Sequence, residues 1–123
     1  MVDDAQGALQ AKLLNKVLFV VFARAVAGVD RSGLRDAHLE YMVGLEGQGS
    51  LFAAGPLLSE DQSLSGDGLI VIRASSQAEA ERLAADDPYV REGARTIEVR
   101  PWRVMEGSLR LDLRFSQGSF TLS

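Results

Sequence analysis

Val17-Leu18-Phe19-Val20-Val21-Phe22-Ala23 is the stretch that decides the fold. It is unbroken apolar sequence rich in β-branched and aromatic residues, which pack well on a pleated surface, so it reads as a strand. It is far shorter than the roughly 20 apolar residues a membrane helix needs. Val17, Phe19 and Val21 fall on one face, Leu18, Val20 and Phe22 on the other. A strand apolar on both faces belongs to a sheet covered on both sides. Leu69-Ile70-Val71-Ile72-Arg73 repeats the pattern at its centre.

Between these two strands lies a helix from about Ser32 to Glu46. Asp30 or Ser32 caps it, and Gly47 and Gly49 end it. Leu34, Leu39, Tyr41, Met42 and Leu45 recur at helical spacing, and His38 falls on the same stripe. Ser50 to Pro56 reads as a strand closed by Gly55-Pro56, and Ser59 to Asp67 as a polar loop. Ser76-Gln77-Ala78-Glu79 is a capping box: the serine serves the amide of Glu79, and Glu79 reaches back. It opens a helix to about Asp86 with Ala80, Leu83 and Ala84 inward. Asp87-Pro88 restarts a turn, aspartate as cap and proline at the first helical position. Thr96 to Met105 is a last strand with Ile97 and Val99 on one face, and Pro101 predicts an edge position or a bulge.

The order strand, helix, strand, strand, helix, strand predicts an α+β fold: the ferredoxin-like βαββαβ arrangement, a four-stranded antiparallel sheet with its helices on one face. The doubly apolar strands require the other face to be covered as well. A second copy of the chain packing sheet against sheet, a homodimer, answers that need. This domain spans residues 16–106. Residues 1–15 form an N-terminal extension, with a weak helix signal from Asp3 or Asp4 through Leu14. Residues 107–123 form a C-terminal β extension. There Leu109, Leu111, Leu113 and Phe115 alternate with Arg110, Asp112, Arg114 and Ser116, the pattern of a half-buried strand. Gln117-Gly118 can turn the chain so that Phe120 and Leu122 form a return strand. The extension either covers an edge of the chain's own sheet or is an arm exchanged with the partner subunit.

Composition narrows the function classes. The chain has 123 residues, enough for one domain with a real core. Its net charge of −4 argues against nucleic acid and anionic membranes as partners. With no cysteine there are no disulfides, thiolate metal sites or cysteine nucleophiles. A single histidine besides speaks against zinc. Gly47-Gln48-Gly49 lacks the third glycine of a dinucleotide fingerprint and follows a helix, not a strand. There is no phosphate loop and no Gly-x-Ser-x-Gly elbow. The acidic start Met1-Val2-Asp3-Asp4 is unlike a signal peptide, so a cytoplasmic location and a chemistry free of cofactors are the expectation.

The topology brings distant residues together. The first strand ends where the first main helix begins, where the second strand ends and the third begins, and where the second helix ends. Arg24, His38, Gly55-Pro56, the Ser59–Asp67 loop and Asp87 therefore share one end of the sheet, a usual place for a small-molecule cleft. His38 is the side chain best suited to proton transfer near neutral pH, and on a buried face it needs a hydrogen-bond partner. Arg24 could neutralise a carboxylate or phenolate, and Tyr89 could line the cleft or donate its hydroxyl. Each residue also has a plain structural reading: His38 as a satisfied core residue, Asp87 as a helix cap, Gly55-Pro56 as a turn, Arg24 as a solvated strand end.

Asp36-Ala37-His38-Leu39, Ala54-Gly55-Pro56, Asp87-Pro88-Tyr89-Val90 and Val99-Arg100-Pro101-Trp102, in this order and at these separations, resemble the YciI-like (YCII-related) family over about Val17 to Met105. The resemblance implies a dimeric α/β barrel and a His–Asp active site, which by motif falls on His38 and Asp87. It implies isomerase or dehydrochlorinase-like lyase chemistry on a small cyclic or aromatic acid. Two other readings stand beside it. One is a non-catalytic ligand-binding or regulatory module with a pocket lined by Phe22, Met42 and Tyr89. The other is a structural partner domain whose function lies in the oligomer.

Overall fold

A computed structural model of the chain describes residues 4–123, with side chains from Gly7 onward. The elements are α1 (Asp4–Ala11), β1 (Lys16–Ala25), α2 (Arg35–Gly47), β2 (Leu51–Leu58), β3 (Leu64–Ile72), α3 (Gln77–Ala85), α4 (Pro88–Arg91), β4 (Arg95–Val104), β5 (Leu111–Arg114) and β6 (Ser119–Leu122). A 3-10 turn over Ser32–Leu34 leads into α2. The chain sorts into two compact units, Val17–Trp102 and the segment through Lys16 together with Arg103–Ser123.

In the larger unit the sheet order is β2-β3-β1-β4. β1 and β3 are antiparallel, with Val21 opposite Ile70 and Phe22 opposite Leu69. β2 and β3 are antiparallel too, with Ala54 opposite Ile70 and Pro56 opposite Gly68. This is the ferredoxin-like α+β architecture that the element order predicts. One face carries the helices: Met42 and Leu45 of α2 and Ala84 of α3 close over Val21, Ala23, Ile70 and Ile72. Tyr41, Leu51, Leu83, Ile97 and Val99 rim that core. Burying one such large aliphatic side chain contributes about 1.5–3 kcal/mol. Leu18, Val20, Phe22, Leu69 and Val71 alternate onto the opposite face.

Several local expectations change. The Gly55-Pro56 pair does not end β2, which runs on to Leu58. An edge strand can carry a proline because one side of it has no ladder to complete. Pro101 likewise sits in β4, the other edge. Ser59–Asp67 is no open loop, because β3 already begins at Leu64. Its turn is held by the Ser59 amide donating to the Ser63 carbonyl (2.9 Å), with Gln62 at φ 69°. The Ser63 amide and hydroxyl both donate to Asp61. Half of the expected capping box forms: Ser76 Oγ accepts from the Glu79 amide at 3.1 Å. Glu79 itself accepts from Ser75, not from the Ser76 amide. On α2 the inward stripe is His38, Tyr41, Met42 and Leu45. Leu39, expected on it, is 44% exposed.

In the smaller unit α1 stops at Ala11 rather than Leu14. Asn15 turns the chain there at φ 55°, and its amide donates to the carbonyls of Gln10 and Leu13. The cap expected at Asp3 lies outside the described residues, as does the side chain of Asp4. The Leu14 amide donates to the Met105 carbonyl (2.9 Å), which ties the two terminal segments together. β5 and β6 form an antiparallel hairpin that is a two-stranded sheet of its own. The return strand expected through Phe120 and Leu122 is thus present. The alternation of the tail, however, is not half-buried. Leu111 pairs with Leu122 and Leu113 with Phe120, yet these four are 58–66% exposed.

The two faces of α2 differ in a measurable way. Leu45→Ala, at a position 2% exposed, should cost about 2–5 kcal/mol in urea unfolding. Val43→Ala, 65% exposed on the same helix, should stay within about 0.5 kcal/mol.

Candidate active site

Asp87 is where the site is built. The residue before a proline is pushed to extended backbone, and Asp87 sits at φ −58° and ψ 128° between α3 and α4. It caps α4, accepting from the Tyr89 amide at 3.1 Å, with Pro88 in the first turn. Its carboxylate is wholly buried. A buried carboxylate needs more than one donor, and α2 supplies the second. His38 Nδ1 donates to Asp87 Oδ1 at 2.8 Å and Oδ2 at 2.9 Å. A carboxylate only accepts, so this contact puts a proton on Nδ1 and leaves Nε2 free to act. The cap and the partner of the histidine are thus one group.

Tyr89 lies flat against the imidazole, ring centres 4.4 Å apart and planes 28° from parallel. The Tyr89 ring also carries Arg95, whose guanidinium carbon is 4.5 Å from the ring centre. Arg95 is 8% exposed and donates from Nε (3.1 Å) and Nη2 (2.9 Å) to the Gly66 carbonyl. Burial lowers its pKa, and the charge of Asp87 works the other way. Behind the histidine, the Tyr41 hydroxyl donates to the Leu83 carbonyl at 2.6 Å. Burial, then the charges of Asp86 and Asp87, push that phenol's pKa up.

These groups open onto a cavity of about 690 Å³ between α2 and the β2–β3 side of the sheet. That volume suits a one- or two-ring ligand. Leu39, Met42, Leu51 and Ile70 give it apolar walls, and Gly55 and Pro56 line it from β2. The polar lining is mixed in charge: Arg31, Arg35 and Arg95 with Asp30, Glu46 and Asp67, beside His38 and Tyr89. Among the described residues no group of three or more His, Asp or Glu is placed to hold a metal ion.

His38, Asp87, Tyr89, Gly55 and Pro56 are therefore brought together, with Asp87 reaching the cavity only through the histidine. Arg24 is not among them. Val21 and Ala23 point into the helix-side core, so Arg24 and Phe22 alternate to the other face. There the Arg24 guanidinium lies 5.9 Å from the Phe22 ring and 3.5 Å from exposed Glu98. The arginines that do line the cavity are Arg31, Arg35 and Arg95; the buried one, Arg95, is one the sequence reading passed over. A signal for it exists: Arg95 precedes Ile97 and Val99 at the same alternation, on the inward face of β4 and at the same end of the sheet.

A model of the YCII-related domain family matches residues 17–103. No curated protein matches the chain. Among solved structures, a complex of 5-chloro-2-hydroxyhydroquinone dehydrochlorinase from Burkholderia phenoliruptrix AC1100 with 2,5-dihydroxybenzoquinone is similar in fold. The TM-score is 0.59 and the identity 22%, over 70% of this chain and 93% of that one. Among the described residues no helix is long and apolar enough to cross a membrane.

The shared carboxylate makes His38 and Asp87 energetically coupled. His38→Ala should destabilise the fold by about 1–3 kcal/mol by stranding a buried acceptor. In an Asp87→Asn background the same change should cost less, with a coupling of roughly 0.5–3 kcal/mol in a double-mutant cycle read by urea unfolding.

Proposed function

The chain belongs to the YCII-related domain family, and within it we propose a small cofactor-independent enzyme, an isomerase or dehydrochlorinase-like lyase acting on a small cyclic or aromatic acid. The observation that carries the proposal is the His38–Asp87 contact facing the cavity. With Nδ1–H held by the carboxylate, Nε2 is the basic nitrogen. It would take a proton from a hydroxyl, or from carbon beside a carbonyl, of a ring lying in the cavity. The electron pair left behind either accepts a proton at another carbon, an isomerisation, or expels a leaving group such as chloride, an elimination. Asp87 stabilises the imidazolium formed in either case, and the proton then passes to the product carbon or to solvent. Tyr89 and the apolar walls hold the ring and exclude water.

The similar dehydrochlorinase suggests the first substrate to try. With 5-chloro-2-hydroxyhydroquinone, the purified chain should release chloride, and His38→Ala should slow this by about 10²–10⁴-fold. Unchanged release in His38→Ala would rule out the histidine as the base. Binding of 2,5-dihydroxybenzoquinone without turnover of any tested acid would instead favour a ligand-binding module.

The proposed partner, besides a small-molecule ligand, is a second copy of the chain. The sheet face away from the helices carries an apolar hollow of about 250 Å³ between β2 and β3, where Leu57, Leu69 and Val71 meet. A copy packed sheet to sheet would cover it. Sedimentation should give twice the chain mass, falling to the monomer in Leu69→Glu. A native monomer at micromolar concentration would refute the homodimer.

A further inference from the structure

We propose that Arg95, with Arg31 beside it, is the anion-recognition subsite of the cavity, taking a planar oxyanion of the ligand (a carboxylate or an enolate) and turning its ring toward His38. The proposal rests on the reading of this cavity as the reaction site and names what binds at its polar end.

The first observation is a largely buried guanidinium with one edge that no described residue pairs. Arg95 is 8% exposed, yet among the described residues no carboxylate lies within 4.0 Å of its guanidinium. Its two recorded hydrogen bonds both go to one neutral acceptor, the Gly66 carbonyl. Nη1 makes none, and it is not among the buried atoms that lack a partner, so it stays reachable from the cavity. An anion there would meet a guanidinium edge that none of the described residues occupies. Asp87 and Asp67 favour the charged arginine from a distance without touching it. Asp87 holds His38 and the Tyr89 amide, Asp67 accepts from the Ala25 amide at 2.9 Å, and Asp30 accepts from the Ser32 amide at 3.0 Å.

The second observation is that β3 makes room for two guanidinium groups. A Cβ on Gly68 would stand 3.1 Å from Arg95 Nη1, and one on Gly66 would stand 2.5 Å from Arg31 Nη2. Gly66 also sits at φ 93°, which disfavours any side chain. The charge of Arg31 works against that of Arg95, and an anion bound beside them would relieve it. The third observation is placement. Arg31, Arg95, Gly66 and Gly68 line the same cavity as His38. The Tyr89 ring touches both the imidazole and the Arg95 guanidinium. An oxyanion on Arg95 therefore leaves the attached ring close to Nε2.

The test is calorimetric titration of the native chain, Arg95→Gln, Arg31→Gln and His38→Ala with three probes. These are 2,5-dihydroxybenzoate (a carboxylate), 2,5-dihydroxybenzoquinone (an enolate) and 2,5-dihydroxybenzamide (neutral). The native chain should bind at least one of the two anions about 10- to 100-fold more tightly than the amide, and which one identifies the oxyanion. Arg95→Gln should erase that preference, Arg31→Gln should weaken it about threefold, and His38→Ala should keep it. Equal native affinity for the anions and the amide, or no binding of either anion, overturns the proposal. So does a folded Arg95→Gln chain that still prefers the anion. Should Arg95→Gln not fold, Arg95→Lys keeps the charge and loses the planar fork. It should bind the anion about tenfold more weakly than the native chain, and unchanged affinity overturns the proposal. Anion preference kept in His38→Ala, whatever its chloride release, separates this claim from the catalytic one.

Discussion

One buried carboxylate organises the cavity end of the sheet. Asp87 is removed from water, and its two oxygens are occupied by the Tyr89 amide and by His38 Nδ1. The first contact starts α4, and the second joins α2 to it. Tyr89, two residues further on, then stacks on the imidazole and supports Arg95. Helix capping, histidine tautomer, ring stacking and the seat of a buried arginine all follow from a single desolvated acid. Hydrogen bonds to a buried charge are worth more than neutral ones because leaving that charge unsatisfied is expensive.

The cavity has a division of labour that comes from its walls. α2 and the β2–β3 side contribute aliphatic carbon, while Arg31 just before the 3-10 turn and Arg95 at the start of β4 bring guanidinium groups, which Gly66 and Gly68 of β3 leave room for. His38, held by Asp87, faces the same cavity.

The two terminal segments follow another logic. They are tied together through Leu14 and Met105, and they end in a hairpin whose apolar face is open. Its cross-strand pairs, Leu111 with Leu122 and Leu113 with Phe120, obey the same alternation that predicts a strand from sequence. Alternation fixes which residues share a face, but not what that face meets.

The same distinction runs through the whole chain. Strand and helix order, the edge position of Pro101, the cap at Asp87-Pro88 and the meeting of His38 with Gly55-Pro56 at one end of the sheet were readable from the residues. Each depends on local chemistry: β-branched content, a side chain that caps, a proline that starts a turn, and the fixed direction each connection must take. The His38–Asp87 pairing came from the resemblance in motif, since spacing alone does not join residues on different helices. What only the tertiary structure decided was facing. β1 is apolar on both sides, so its sequence holds no mark of which side the helices cover, and Arg24 could be placed at the right end but not on the right face. Packing against Met42, Leu45 and Ala84 chose Val21 and Ala23 as the inward residues. That choice turned Arg24 away from the cavity, while Arg95, in line with inward Ile97 and Val99, took its place beside Tyr89.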